Sequence, residues 1–514
     1  MSIVATKQAS LFSAIAIGVG SIVGSGWLFA SYYSAKYAGP IAIFSWVIGA
    51  AVALMLALLL AEIATIYQEN GLFSRLLTIT HNRDFGFIVA ISNWFIMVAV
   101  APSEATATVQ YLGHVIPWIE EKMFVHDNLN ALGMVIVCGV MSIYALLNYW
   151  GIKTLARANN VITTIKMIVP AAIGILFLCA QFHPGNFTSY KGTIAPYGIG
   201  RIFTSIVDCG IFYAFYGFSM VTVFAKELKN PKRNLPLALI GSVLTCLVIY
   251  LILQVSFIGA MDPAFIATHG WHALNFQSPL ANLAVLLGMN WLALLLYVDA
   301  SISPSGTGIL YTGSGTRMLN AMADDGQMPK IFAKMNQQFF ISRTSLIFTI
   351  LLSFVLIIFF NNWQRIMVVV TTFELISCLA IPLAFTALRR NEANKERLFT
   401  LPYGKAISVT AYLVVTYLLT QCGLNTMLLA LACHITFFII YCIVYYEFKP
   451  KLMLRAFYSS WTMFAYLLMI CIFAWFGDRN LLVDWIAAIF VIVALIFYVL
   501  LLGQKNFSEV TRKQ

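Results

Sequence analysis

Apolar residues run through this chain in long stretches separated by short polar segments. A helix needs ~20 mostly apolar residues to cross the ~30 Å hydrocarbon layer of a bilayer. Fourteen stretches approach that length: 10–35, 39–67, 86–112, 130–149, 159–181, 202–225, 236–260, 279–308, 344–361, 364–388, 405–421, 423–446, 457–477 and 482–503. The longest polar segments are 113–129 and 261–278 on one side, with 309–343 and 389–404 on the other. The pattern predicts an all-α polytopic membrane protein of fourteen transmembrane helices. Its short loops leave no room for a soluble catalytic module.

Two stretches depart from an uninterrupted apolar helix. The first contains Gly18-Val19-Gly20-Ser21-Ile22-Val23-Gly24-Ser25-Gly26, and the sixth contains Tyr213-Ala214-Phe215-Tyr216-Gly217-Phe218-Ser219. Glycine permits non-helical backbone, which at membrane depth is tolerated only inside protein or beside a wet cavity. The freed amides then attract carboxylates and the freed carbonyls attract cations. Small residues also serve close helix packing, so one glycine-rich span has two readings. Two interrupted spans, five apart, point to a binding site between inverted repeats.

Composition narrows the function class. Only 10% of the 514 residues are charged, against about 25% in soluble proteins. The net charge of +11 does not mark a nucleic-acid binder. With an inside N-terminus, 24 of the 31 Lys and Arg fall on the cytoplasmic side, which satisfies the positive-inside rule. Both termini are therefore expected in the cytoplasm, and the first helix is expected to be retained. The basic run Lys226, Lys229, Lys232 and Arg233 is assigned to topology and headgroup contact. The nine cysteines lie scattered in apolar runs without metal-ligand spacing and read as small hydrophobes. No metal or cofactor is expected.

Charges inside spans usually mark ion or proton pathways. Lys166 lies about seven residues inside the fifth span, or ~11 Å at 1.5 Å per residue. It either snorkels to the interface or meets a polar partner. Asp299 in the eighth span is a candidate partner, or a group beside the substrate. Glu62, Glu104, Asp208 and Glu374 also lie within spans. Five acids would suit a cationic substrate if they faced the cavity, and the pattern alone does not orient them.

The motifs resemble the amino acid–polyamine–organocation superfamily of permeases. The resemblance is carried by Gly20-Ser21-Ile22-Val23-Gly24-Ser25-Gly26-Trp27-Leu28-Phe29, Glu62, Ala225-Lys226-Glu227-Leu228-Lys229-Asn230-Pro231-Lys232-Arg233-Asn234-Leu235-Pro236 and Arg317-Met318-Leu319-Asn320-Ala321-Met322-Ala323-Asp324-Asp325-Gly326-Gln327-Met328-Pro329. The form Gly24-Ser25-Gly26-Trp27-Leu28-Phe29, with Ser303-Pro304-Ser305-Gly306-Thr307-Gly308, looks most like the aspartate/glutamate permease branch.

The resemblance implies a five-plus-five inverted-repeat (LeuT-like) core over 1–390, with four peripheral helices over 391–514. It implies a substrate held by Ser21, Ile22, Gly24, Ser25, Gly26, Tyr213, Phe215, Tyr216, Gly217 and Phe218. Ser25 and Gly26 would offer donors to the substrate carboxylate. The carbonyls of Ile22, Tyr213 and Tyr216 would meet its ammonium group. Phe215 and Phe218 would close or line the cavity, ordinary core packing being the other reading. In proton-coupled relatives a lysine placed like Lys166 occupies the position of a sodium ion, so Lys166 and Asp299 are the expected proton-coupling residues. Several relatives carry a glutamate two residues after the glycine of span 6; here that residue is Ser219.

The expected function is secondary amino-acid transport across the plasma (inner) membrane, as proton-coupled uptake, with the proton gradient rather than sodium as the driving force. The expected partners are an amino acid, protons and the lipid bilayer. Amino-acid exchange and a non-transporting nutrient sensor stay open at this stage. A membrane enzyme is not expected, because no hydrolase or metalloprotease motif occurs.

Overall fold

The computed structural model describes residues 10–67, 72–115, 122–125, 128–150, 153–336, 338–339, 341–479 and 484–503. Within these, the side chains of 74, 114–115, 153–163, 223–227 and 484 are not described. The terminal segments 1–9 and 504–514, and the Lys226 side chain, lie outside the described residues.

The chain is helical almost throughout, with one two-stranded hairpin, Phe124–Val125 against Asn128–Leu129. In chain order the helices are α1 Leu11–Ile22, α2 Gly26–Ala38, α3 Ala42–Ile66, α4 Leu72–Thr80, α5 Arg83–Val115, α6 Ala131–Tyr149 and α7 Lys153–Ala180. Next come α8 Arg201–Asp208, α9 Ile211–Phe215, a 3₁₀ segment Phe218–Glu227, α10 Pro231–Ala260, α11 Pro263–His269, α12 Pro279–Leu286 and α13 Asn290–Asp324. The last are α14 Arg343–Phe359, α15 Trp363–Cys378, α16 Ala380–Asn391, α17 Gly404–Thr420, α18 Leu424–Tyr446, α19 Pro450–Asp478 and α20 Asp484–Leu502.

Nine helical stretches among the described residues are long and apolar enough to cross a bilayer, and a tenth is a pair bent by 62° between Arg201–Asp208 and Ile211–Thr222. Four further apolar helices are shorter. The protein is therefore a polytopic integral membrane protein.

Both spans expected to break are interrupted. The first breaks over Val23, Gly24 and Ser25, between α1 and α2. The sixth turns at Gly210 (φ +75°) and again at Gly217 (φ +105°). Such φ values cost little only for glycine. The breaks face each other. A Cβ on Gly217 would fall against the Ser21 carbonyl oxygen and lie 3.2 Å from the Ile22 amide nitrogen.

The eighth span differs from its expected bounds. The stretch expected at 279–308 is two helices, because the chain turns at Gly288 (φ +72°) between α12 and α13. Helix α13 then continues to Asp324, through residues expected in a loop. Its small residues make that possible by docking on neighbours. Gly308 packs on Tyr144, Gly313 on Asn148 and Gly315 on Met97. Helix α13 packs along α5, which also carries α15.

Glu62, near the end of α3, binds the other half of the chain. Arg389 donates through Nε to Oε1 at 2.9 Å and through Nη2 to Oε2 at 2.7 Å. The Leu401 amide donates to Oε2 at 2.7 Å, and Arg397 Nε lies 3.3 Å from Oε1. This ties α3 to the end of α16 and the segment before α17. Asp84 accepts from Tyr441, Tyr446 and Ser459 and fastens α18 and α19 to α5.

Candidate functional site

The two breaks meet around a small cavity lined by Ser21, Ile22, Gly24, Val100, Glu104, Tyr213, Tyr216, Thr307 and Tyr311, with a volume of about 10 Å³. That is room for about one water molecule. A guest larger than water needs this lining, in which the Tyr216 and Tyr311 ring centroids lie 5.7 Å apart, to open.

Glu104 from α5 is the polar centre of this cavity. Its side chain is fully buried. Its Oε1 accepts the Ser25 amide at 3.2 Å and the Tyr213 hydroxyl at 2.5 Å. A carboxylate thus already sits at the start of α2, where unpaired amides and the helix dipole favour negative charge. Gly24 is small for the same reason: a Cβ there would lie 2.7 Å from Glu104 Oε1. The Ser25 hydroxyl accepts from Trp363 Nε1 at 3.0 Å. Both Ser25 groups expected to bind substrate therefore have protein partners in this conformation.

Lys166 does not snorkel. It is buried and donates through Nζ to Thr307 Oγ1 at 2.6 Å. Thr307 lines the cavity, and its methyl carbon lies 3.6 Å from the Cβ position of Gly24. The expected pairing of Lys166 with Asp299 is not formed as a hydrogen bond. Asp299 is buried, and neither of its carboxylate oxygens has a hydrogen-bond partner among the described residues. Lys166 lies within electrostatic reach of both Glu104 and Asp299.

The other expected residues divide between lining and packing. Ser21, Ile22, Gly24, Tyr213 and Tyr216 line the cavity. The Tyr213 carbonyl accepts the Tyr216 amide at 2.9 Å, closing the last turn before the break. Gly26 is a packing point, because a Cβ there would lie 3.0 Å from the Cβ of Ala214. Gly217 likewise serves the close approach to Ser21. Phe215 does not line the cavity. It packs edge-on against Trp46 and Tyr250, with ring centroids at 6.0 and 5.5 Å. Phe218 is buried and also off the lining. An aromatic residue beside a break can turn to either side of its helix, and here α3 and α10 offer the better apolar surface.

Glu104, Thr307, Tyr311 and Trp363 were not among the expected site residues. Glu104 carried a signal, being an acid in a span, but its orientation depends on how α5 packs. Of the five acids noted within spans, Glu104 alone lines this cavity. Glu62 ends on arginine, and Glu374 lies on α15 beside Tyr216 and Tyr311.

Comparison with known proteins fits this architecture. The profile described as "Amino acid permease" matches residues 10–446. The chain belongs to the amino acid permease family. This permease is 35% identical over 510 residues to the glutamate/serine transporter AimA of Bacillus subtilis, covering 96% of this chain and 93% of the relative. It is 33% identical over 477 residues to the aspartate-proton symporter of the same organism, covering 92% and 90%. The branched-chain amino acid permease BcaP of Bacillus subtilis is more distant, at 25% over 347 residues. The permease is a secondary amino-acid transporter, not an enzyme.

Proposed function

We propose that this permease takes up acidic amino acids with protons, by alternating access, across a plasma (inner) membrane with both chain termini in the cytoplasm. The observation that carries the reading is the contact of Glu104 with the Ser25 amide at the broken first span, with Lys166 held nearby through Thr307. The names of the two relatives above 30% identity, a glutamate/serine transporter and an aspartate-proton symporter, support the substrate and ion assignments.

The chemistry follows from competition for one place. The amides at the start of α2 suit one carboxylate. A substrate carboxylate takes them only when Glu104 gives them up, and a protonated Glu104 gives them up most readily. Proton arrival at Glu104 and substrate arrival at Ser25 and Gly26 then favour each other. Lys166, with Asp299 in electrostatic reach, is the second member of this proton pathway. The freed carbonyls at Ile22 and Tyr216 receive the substrate ammonium group, and its acidic side chain turns toward Lys166.

The same reading gives fourteen crossings. The bent pair and the shorter apolar helices each count toward a span, residues 1–390 form a five-plus-five inverted repeat, and 391–514 form the periphery. The Gly217–Ser21 approach between two breaks five spans apart supports this layout.

The test uses purified protein in liposomes, competed with all twenty amino acids, with and without an imposed proton gradient. Aspartate and glutamate are expected to compete best, and an inward proton gradient is expected to drive accumulation. Replacing sodium with choline leaves uptake intact. Lys166→Ala removes the part of the pH dependence that Lys166 carries. Counterflow without any proton effect would replace symport by exchange, and binding without flux would make the protein a sensor.

A further inference from the structure

We infer that Glu374 is a second protonation site of the transport cycle: an acid that holds a proton while the cavity is closed and releases it when the segment carrying Tyr216 moves away. The inference rests on the proton-coupled reading above and adds a proton site on α15.

Placement comes first. Trp363 and Glu374 are eleven residues apart on α15, three turns at 3.6 residues each, and so share one face of the helix. That face lies against both broken spans. Trp363 bonds Ser25 and lies 3.1 Å from the Cβ position of Gly210. Three turns on, Glu374 is within electrostatic reach of Tyr216, which lies at the second break, and of Tyr311 on α13. Both tyrosines line the cavity, and Glu374 does not.

Nothing among the described residues is bonded to its carboxylate. Glu374 is 1% exposed, and neither carboxylate oxygen has a hydrogen-bond partner among the described residues. The titratable groups around it are Tyr216, Tyr311 and, on its own helix, Cys378. From α5, Glu104 reaches Tyr311, and from α9 Tyr213 is bound to Glu104. From α18, His434 stacks on Phe373 but is held by Ser92 and the Ala430 carbonyl. Asp208 of α8 lies near the other end of α15, where its carbonyl accepts from Gln364. Arg389 of α16 is bound to Glu62. Among the described residues no cation pairs with Glu374.

A bare carboxylate in such a place costs far more than a neutral acid. The closed cavity therefore holds Glu374 as the acid. Movement of Tyr216 lets water reach it. The O–H bond then breaks, its electron pair stays on the carboxylate and the proton passes to water. Reprotonation from the opposite side is required before the cavity closes again. This site lies on a different helix from Glu104 and Lys166 and loads its proton independently of the substrate carboxylate.

Glu374→Gln tests the inference, because glutamine imitates the protonated acid. The variant is expected to fold with wild-type thermal stability and to retain substrate counterflow. Its proton-to-substrate ratio, read from reversal potentials in liposomes, falls by one, and one limb of the pH profile of uptake is lost. In infrared difference spectra of the wild-type protein, a protonated-carboxyl carbonyl band is present at neutral pH and absent from the variant. An unchanged ratio and pH profile would overturn the proposal. So would a missing band, or a variant that does not fold, because either makes the native group an ionised structural partner. Absence of proton-driven uptake in the wild-type protein would instead refute the proton-coupled reading, and the infrared band distinguishes the two failures.

Discussion

The side chain of Glu104 accepts a hydrogen bond from the backbone amide of Ser25, 79 residues away in the chain. The contact places an acid of α5 on the opened turn of the first span, where the helix dipole of α2 begins. In the proposed mechanism this buried acid covers the amide and competes with the substrate carboxylate for it.

Glu104→Gln keeps the shape and removes the charge. Proton-driven accumulation is expected to fall by at least tenfold, about 1.4 kcal/mol of coupling, while counterflow at saturating substrate persists. Parallel uptake and counterflow assays in liposomes check this. Equal loss of both would make Glu104 a structural residue only.

Gly217→Ala puts a Cβ against the Ser21 carbonyl and forces φ +105° on a residue with a side chain. The backbone strain alone is about 1–3 kcal/mol, and the clash adds to it. Lower thermal stability and loss of uptake are expected. Gly185→Ala, where a Cβ meets nothing within 4 Å, should behave as wild type in the same melting assay.

Arg389→Leu leaves the buried Glu62 with Arg397 and the Leu401 amide. Removing one partner of a buried ion pair costs about 3–5 kcal/mol; the remaining partners put the expected loss near the lower end. The double change Glu62→Gln with Arg389→Leu should recover much of it. Denaturation of the four proteins in one detergent gives the coupling, and additive losses would mean that the two side chains act independently.

His272 gives a pH dependence outside the spans. Its ring stacks on Tyr197 with centroids 3.7 Å apart. Partial burial, then the nearby Arg201, Lys36 and Lys191, hold its imidazolium below the usual histidine value, partly offset by a hydrogen bond at the Lys36 backbone. The unfolded chain therefore binds the proton more readily than the folded one. Stability is full above the ordinary histidine range and declines as pH falls through it toward the depressed value. His272→Gln should remove that part of the decline in melting temperature. An unchanged slope would assign the decline to other groups.

How much was legible in the chain follows from the physics of each feature. Long apolar runs, four glycines in nine residues of the first span and a lysine seven residues deep are local patterns with local causes. The polytopic helical class and the two broken spans follow from them, whereas Ser21, Ile22, Gly24, Tyr213 and Tyr216, which line the cavity, came from the motif resemblance. The motif resemblance reached the permease family by the same route. The continuation of α13 to Asp324 was not legible, because its stretch is polar and rich in small residues, and its docking on Asn148 and Met97 is a tertiary contact.

Side-chain direction belongs to the tertiary structure. A helix places an acid at a depth, but its packing decides which face looks inward. Glu104 therefore reaches the cavity, Glu62 ends on arginines, and Lys166 goes to Thr307 rather than Asp299. The same holds for Phe215, which turns to Trp46. Depth and polarity are properties of one helix and can be read along it; partnership needs two, and only the assembled bundle brings residues as distant in sequence as Ser25 and Trp363 within hydrogen-bond range.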